Sequence, residues 1–197
     1  MAQGDLFVPR VIGLAGPKYA GKDTAANLLE GVLSAAGISY RRIAFSDPIK
    51  RMLQTMLSDM GISWSGLHDP KRKEEIIPEL GVSYRHLMVT LGTEWGRDLI
   101  NRELWLQPVR HVCETLPQDM VLVITDVRMP NEAKLIEDLG GEVWEVYRPG
   151  ANYSTEHVSE SGLPVGCVRR TLRNWGSLED LNTEVVKAWQ DANRGRE

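Results

Sequence analysis

The sequence predicts an α/β fold in three layers, with a central parallel five-stranded sheet and helices on both faces. Two observations predict it. Short apolar runs alternate with stretches of helical period from one end of the chain to the other. The first of these runs, Val11–Ala15, leads straight into Gly16-Pro17-Lys18-Tyr19-Ala20-Gly21-Lys22-Asp23-Thr24 and then into an amphipathic helix pattern. Strand, glycine-bounded loop and helix in that order form a phosphate cradle. Backbone N–H groups converge on one point, and the helix dipole adds positive potential there.

The loop departs from G-x-x-x-x-G-K-[ST] at one position. Asp23 occupies the place of the metal-binding hydroxyl, and Thr24 comes one residue late. A carboxylate still serves Mg²⁺, directly or through water, so Asp23 remains a metal candidate. Lys22 supplies a full positive charge for the β- and γ-phosphates. Gly16, Ala20, Gly21 and Thr24 shape the cradle, and Lys18 either touches the same phosphates or faces water.

After the loop, Ala25, Leu28, Leu29, Val32, Leu33 and Ala36 recur at helical spacing, and Gly37 stops the helix at C′. Tyr40–Phe45 reads as the second strand. Ser46-Asp47-Pro48 reads as a capped helix start with proline in the first turn, followed by an apolar face of Ile49, Met52, Leu53 and Met56. From Gly61 to Pro78 the chain reads as an exposed excursion, and Lys71–Glu75 as a solvated charge run. Tyr84–Leu91 regains helical spacing, the small and polar residues of Gly92–Arg97 interrupt it, and Leu104–Leu116 forms a further helix.

Met120–Thr125 is a continuous apolar run, as in a strand buried on both faces. It ends in Asp126-Val127-Arg128. Pro130 opens a helix through Ala133, Ile136 and Leu139 that closes at Gly140-Gly141, and Glu142–Tyr147 is the next strand. Arg148–Val168 has no period, and a loop of that length in a compact domain suits a lid. Arg169–Arg173 reads as the last strand. Ser177–Asp180 fits a capping box for a final helix with a stripe of Leu178, Leu181, Val185 and Trp189.

Ligands of parallel sheets bind beyond the carboxyl ends of the strands. The loop at 16–24, Asp47 and Asp126 all follow strands and are expected to converge on one edge. Asp126 either orients Mg²⁺ through its water shell or caps a helix. Arg128 either neutralises charge on a transferred phosphoryl group or makes a surface ion pair. Arg169 and Arg170 stand where they can reach phosphate from the base of the lid.

Bulk properties narrow the partners. The 197 residues carry a net charge of −4 with 42% hydrophobic content, which suits a soluble globular protein and disfavours extended nucleic acid. Cys113 and Cys167 have no metal-type spacing and fit a reducing cytoplasm. No apolar run is long enough for a membrane span, and the start Met1-Ala2-Gln3-Gly4-Asp5 has no signal-peptide plan.

Taken together, the pieces resemble the bacteriophage deoxynucleoside monophosphate kinases, a branch of the P-loop nucleoside monophosphate kinases. The resemblance rests on the loop with its unusual Asp23, Pro48-Ile49-Lys50, Arg85-His86-Leu87-Met88, Leu91-Gly92-Thr93-Glu94, Asp126-Val127-Arg128 and Arg148-Pro149-Gly150. It continues through His157–Pro164 and Asn174–Leu181. It implies a single P-loop kinase domain over 1–197, with an acceptor-binding helical region at about 46–116 and a lid at about 149–168. It implies ATP as donor, Mg²⁺ as cofactor, a deoxynucleoside monophosphate as acceptor and a cytoplasmic setting, in the host if phage-encoded. It also leaves room for a homodimer.

On that resemblance Lys22 and Arg128 are the catalytic residues, and Arg148 joins the ATP-binding set. Asp47, Lys50, Arg85, Thr93, Glu94, Trp95 and Arg97 form the acceptor set, with Lys50 and Arg85 on its phosphate and Thr93, Glu94 and Trp95 at its base. Trp95 has core packing, and Glu94 a surface charge, as its other reading. His157, Ser159 and Glu160 belong to the lid, and Asp23 and Asp126 to the metal. Asn174-Trp175-Gly176 would shape the adenine edge. Two alternatives share the loop: a kinase for another phosphorylated acceptor, of the phosphomevalonate or dephospho-coenzyme A type, and a nucleotide-dependent switch. GTP-dependent switches usually carry an Asn-Lys-x-Asp motif, which this sequence lacks.

Overall fold

The computed structural model describes residues 11–151, 162–164 and 166–194. The chain divides into two compact units, one of Met1–Ala44 with Cys113–Glu197 and one of Phe45–Val112.

The first unit is built on five strands: β1 (Val11–Ala15), β2 (Tyr40–Ile43), β5 (Val121–Val127), β6 (Glu142–Tyr147) and β7 (Arg170–Arg173). They lie in the order β2-β5-β1-β6-β7, every neighbouring pair parallel. The five-stranded parallel sheet read from the sequence is the observed one. β1 sits in the middle, and all five of its residues are buried. Its side chains alternate between the two faces. Ile12 and Leu14 join a core with Ala25, Ala26, Leu29 and Leu33 of α1 (Lys22–Ala35) and Leu181, Val185 and Trp189 of α6 (Leu178–Asn193). On the other face Gly13 leaves room for α5 (Pro130–Asp138), where Ile136 Cδ1 lies 2.5 Å from the place a Cβ would take. Helices thus cover both faces.

Local signals end these helices as expected. Gly37 (φ 70°) follows α1, with its N–H donating to Ser34 O at 3.0 Å and that of Ile38 to Leu33 O at 2.9 Å. Ser177 Oγ accepts from Asp180 N at 3.2 Å while Asp180 Oδ2 accepts from Ser177 N at 2.8 Å, closing the capping box of α6. Leu178 does not belong to the buried stripe. It is 62% exposed, and burial along α6 begins only at Leu181.

The second unit contains α2 (Asp47–Asp59), a 3₁₀ turn at Ser65–Leu67, a short antiparallel hairpin of β3 (Ile76–Ile77) and β4 (Val82–Ser83), and α3 (Tyr84–Val89). A π-helix over Thr90–Ile100 and a 3₁₀ turn at Leu104–Leu106 follow, and α4 (Gln107–Thr115) leads back to the first unit. Its core is Ile49, Leu53, Leu57, Leu67, Ile77, Tyr84 and Trp105.

Four sequence expectations need correction here. The buried stripe of α2 runs through Ile49, Leu53 and Leu57, so Met52 and Met56 face outward at 44% and 40% exposure. Leu57, one turn beyond Leu53, sets that helical phase. Ser46 stands at the cap position of α2 without a side-chain capping bond, its backbone being helical rather than extended. The excursion at 61–78 is anchored rather than wholly exposed. Leu67 and Ile77 are fully buried, and Gly66 lies under the Tyr84 ring, where a Cβ would come within 2.3 Å. Finally, Gly92–Arg97 does not interrupt the helix that starts at Tyr84, which continues as the π-helix. Gly92 and Gly96 serve as packing surface. Trp105 covers Gly96, and its indole N–H donates to Gly92 O at 2.7 Å.

Candidate active site

Beyond the carboxyl end of β1 the chain turns sharply at two glycines. Gly16 has φ 138°, and a Cβ there would come 2.6 Å from Val146 O of β6. Gly21 has φ 102° and is the left-handed N-cap of α1. Neither position admits a side chain without strain. Tyr19 also takes a positive φ, 65°, which is uncommon outside glycine.

Lys22 is the first residue of α1, and its ammonium curls back over the loop. Nζ donates to Gly16 O at 2.7 Å and to Pro17 O at 2.8 Å. It is held above the loop that the sequence assigned to phosphates. Lys18 and Arg148, also assigned to phosphate, line one hollow of about 560 Å³ with Tyr19, Pro149, Gly150 and Ala151. Lys18 Nζ lies 5.0 Å from the Tyr19 ring centroid.

Asp126 lies within β5 rather than after it, at an irregularity of the sheet. Gly13 pairs with Ile124 but Ala15 with Val127, so β5 has one extra residue against Leu14. Bulges of this kind re-aim side chains and recur beside active sites. Because β1 and β5 are parallel neighbours, Asp126 and the loop share a sheet edge, whereas Asp47, expected at the same edge, belongs to the second unit. Arg128 follows on the exposed surface, its backbone fixed from behind. The buried carboxylate of Glu132 accepts from Arg128 N at 2.7 Å and from Met129 N at 3.0 Å.

Three residues support this edge, and two of them, Glu132 and Arg42, escaped the sequence reading. Glu132 is one, and its signal was an acid three residues into a helix opened by proline. Asn174, read from the sequence only as part of the adenine edge, is the second. Its Nδ2 donates to Ala20 O at 2.8 Å and packs over Gly21, while its N–H donates to Tyr147 O at 2.8 Å. It therefore braces the loop from the end of β7. Arg42 is the third, ion-paired to Asp23 at 2.6 Å. Arg170, read as a phosphate contact, is instead held by Glu142 through Nε at 2.7 Å and Nη2 at 3.2 Å. Glu142 opens β6, so this pair marks the amino ends of the strands, away from the loop. Next to Asn174, exposed Trp175 meets Tyr147 edge-on at 6.4 Å, and the Arg173 guanidinium lies 5.4 Å from its ring.

Asp23, Thr24 and Asp126 offer hard oxygen donors. Among the described residues no group of three or more His, Cys, Asp or Glu could cage an ion. That donor set fits Mg²⁺ carried mainly by phosphate oxygens and water, and it fits poorly a metal held by protein alone.

The second unit carries the whole predicted acceptor set. Asp47 and Lys50 lie in the first turn of α2, 3.8 Å apart. Arg85 on α3 pairs through Nε with Glu74 Oε1 at 2.5 Å, and its N–H donates to Lys73 O at 2.8 Å. Thr93, Glu94, Trp95 and Arg97 are all on the π-helix, a form enriched at functional sites. Trp95 is 39% exposed, leaning on Trp105 at 6.4 Å. His157, Ser159 and Glu160 lie outside the described residues.

His68 reports on the same surroundings. Its ring stands edge-on to Trp64 at 5.7 Å. Loss of solvent first, and then the Lys50 and Lys73 charges, hold its pKa below 6.5, against the opposing pull of Asp47. The folded state thus favours neutral imidazole. Its contribution to stability is full above pH 6.5 and is lost as pH falls toward the lowered folded value. In an NMR titration the His68 midpoint should lie below 6.5 and rise in Lys50→Met. A midpoint at or above 6.5 would contradict the burial of the ring together with the nearby cations, and no rise in Lys50→Met would place that cation elsewhere.

The family described as deoxynucleotide monophosphate kinase matches residues 59–185. A protein of Acanthamoeba polyphaga mimivirus that carries the same family name is 25% identical over 205 residues, spanning 93% of this chain and 98% of its own length. The deoxynucleoside-5'-monophosphate kinase of Escherichia phage T5 is 31% identical over 123 residues, covering 58% of this chain. The match covers 49% of that phage protein, so it spans about half of the relative's length. Among solved structures, an APS kinase of Mycobacterium tuberculosis overlays with TM-score 0.49 and 13% identity, covering 93% of this chain and 98% of its own. No helix among the described residues is long and apolar enough to cross a membrane.

Proposed function

The chain belongs to the deoxynucleotide monophosphate kinase family, and on that premise we propose that it transfers the γ-phosphoryl group of ATP directly to the phosphate of a deoxynucleoside monophosphate. The observation that carries the reading is the Lys22 ammonium held over the glycine-bounded loop at the mouth of β1.

The reaction must bring two anions together, and positioning and charge stabilisation do nearly all the work. In the first unit Lys22 leaves its two loop carbonyls for the β- and γ-phosphates, with Lys18 and Arg148 along the triphosphate. Arg128 meets the charge on the transferring group. Trp175, Tyr147 and Arg173 offer an aromatic and cationic surface for the donor base. In the acceptor region of about 46–116, Lys50 and Arg85 hold the acceptor phosphate. Asp47 orients Lys50, and Arg97 adds a further cation. Thr93, Glu94 and Trp95 read or stack the acceptor base. Asp23 and Asp126, with Thr24 beside them, would hold Mg²⁺ through its water shell. When bound, that ion would offset the negative charge of the phosphates. The segment at about 149–168, with His157, Ser159 and Glu160, closes over the nucleotide and keeps water from ATP. No general base is needed, because the attacking oxygen of the acceptor phosphate is already ionised.

A panel of deoxynucleoside monophosphates set against phosphomevalonate and dephospho-coenzyme A, read by ADP release, tests this. ADP should appear with one or more of the nucleotides. Turnover confined to a non-nucleotide acceptor would replace the proposal with that activity.

A further inference from the structure

Asp23 is the second residue of α1, beside the amide groups that the preceding reading gives to the ATP phosphates. The loop motif normally has a neutral hydroxyl there. A carboxylate in that place opposes a polyphosphate by like charge. The fold sets a cation against it from another element. Arg42 of β2 donates through Nη2 to Asp23 Oδ1 at 2.6 Å and through Nη1 to Asn27 Oδ1 at 2.7 Å, with Glu30 Oε1 3.6 Å from Nη1. Positions 23, 27 and 30 follow one another along a single stripe of α1, so one guanidinium serves two of its acids and the amide between them.

We propose that Arg42 is a positioning residue of the phosphate loop. In the metal-free loop it neutralises Asp23 and holds that carboxylate on the flank of α1, so that its charge does not oppose an incoming polyphosphate at Lys22 and the helix N-terminus. The proposal rests on the loop being the ATP site. It explains how an acid is accommodated at this position, which a mere helix-to-strand brace would not address. The Asp23 side chain is 81% exposed and that of Arg42 30%, so the effect is one of screened charges and must depend on salt.

The test is calorimetric binding of ATP in the presence of EDTA, so that no metal contributes, with thermal melts alongside. Arg42→Gln keeps hydrogen-bonding capacity but removes the charge. It should weaken metal-free ATP binding by about three- to tenfold at low ionic strength, and the defect should shrink as salt approaches about 0.5 M. Asp23→Asn alone should tighten binding, and Asp23→Asn added to Arg42→Gln should restore the loss. Arg42→Lys, which keeps the charge and is the milder change for folding, should stay within about twofold of wild type. Unchanged affinity in Arg42→Gln at low salt, a defect that persists at high salt, or no recovery in the double variant would each overturn the proposal. So would a loss in Arg42→Lys as large as that in Arg42→Gln. Failure of the wild-type protein to bind ATP at all would remove the loop as the ATP site, and this inference with it.

Discussion

Lys22→Ala is expected to lose essentially all turnover, by a factor of about 10³ or more, while the protein stays folded. Its ammonium donates to Gly16 O and Pro17 O, at 2.7 Å and 2.8 Å. These are ordinary loop carbonyls that water can serve instead, so their loss costs little stability. A triphosphate has no such substitute. Its charge grows on the β–γ bridge as the γ-phosphoryl departs, and the site has no equivalent cation mounted on the loop's own helix start. Lys22→Arg should not rescue fully, since a planar fork cannot occupy the place of a compact ammonium. The measurement is coupled ADP release at saturating ATP, with a circular-dichroism melt as control. A variant that keeps its melting temperature and more than a tenth of its rate would show that Lys22 is not the donor-phosphate cation.

The sheet was legible because each central strand is a continuous apolar run punctuated at both ends. Val11–Ala15 and Val121–Ile124 are buried without exception, and such runs admit few other readings. The loop was legible because its motif is contiguous. What the sequence concealed depends on pairings across distance. Arg42 meets Asp23 from 19 residues away, and Asn174 reaches Ala20 across 154 residues. Neither residue type announces such a partner. Helical phase was the second obstacle. Met52 and Leu53 are both apolar, and only the packing of Leu57 and Leu67 decides which of them turns inward. The π-helix shows a third. Gly92 and Gly96 read as breakers from propensity alone, yet tertiary packing by Trp105 turns the same two residues into the contact that carries the helix onward. Residues that work through a partner distant in sequence are therefore the ones a motif search leaves out.

Arg128→Ala is expected to lower kcat by about 10² to 10⁴ and to leave the apparent ATP affinity within a fewfold of wild type. The expectation comes from how the residue is mounted. Its backbone N–H is anchored to the buried Glu132 carboxylate at 2.7 Å while its side chain stays on the surface. It also stands two residues past Asp126, at the same sheet edge as the loop. A backbone fixed to a buried acid at this edge suits a group that engages charge appearing only during transfer, because the main chain need not move at that moment. A residue that merely paired on the surface would cost no more than about 1 kcal/mol when removed and would leave kcat untouched. The split between kcat and KM therefore separates the two roles. Glu132→Gln gives a second readout, since it weakens the anchor without touching the guanidinium. It should lower kcat less than Arg128→Ala does, and it should add little when the two are combined, because both changes act through one side chain. Full activity in Arg128→Ala, or a strictly additive double variant, would assign the transferred charge to another cation.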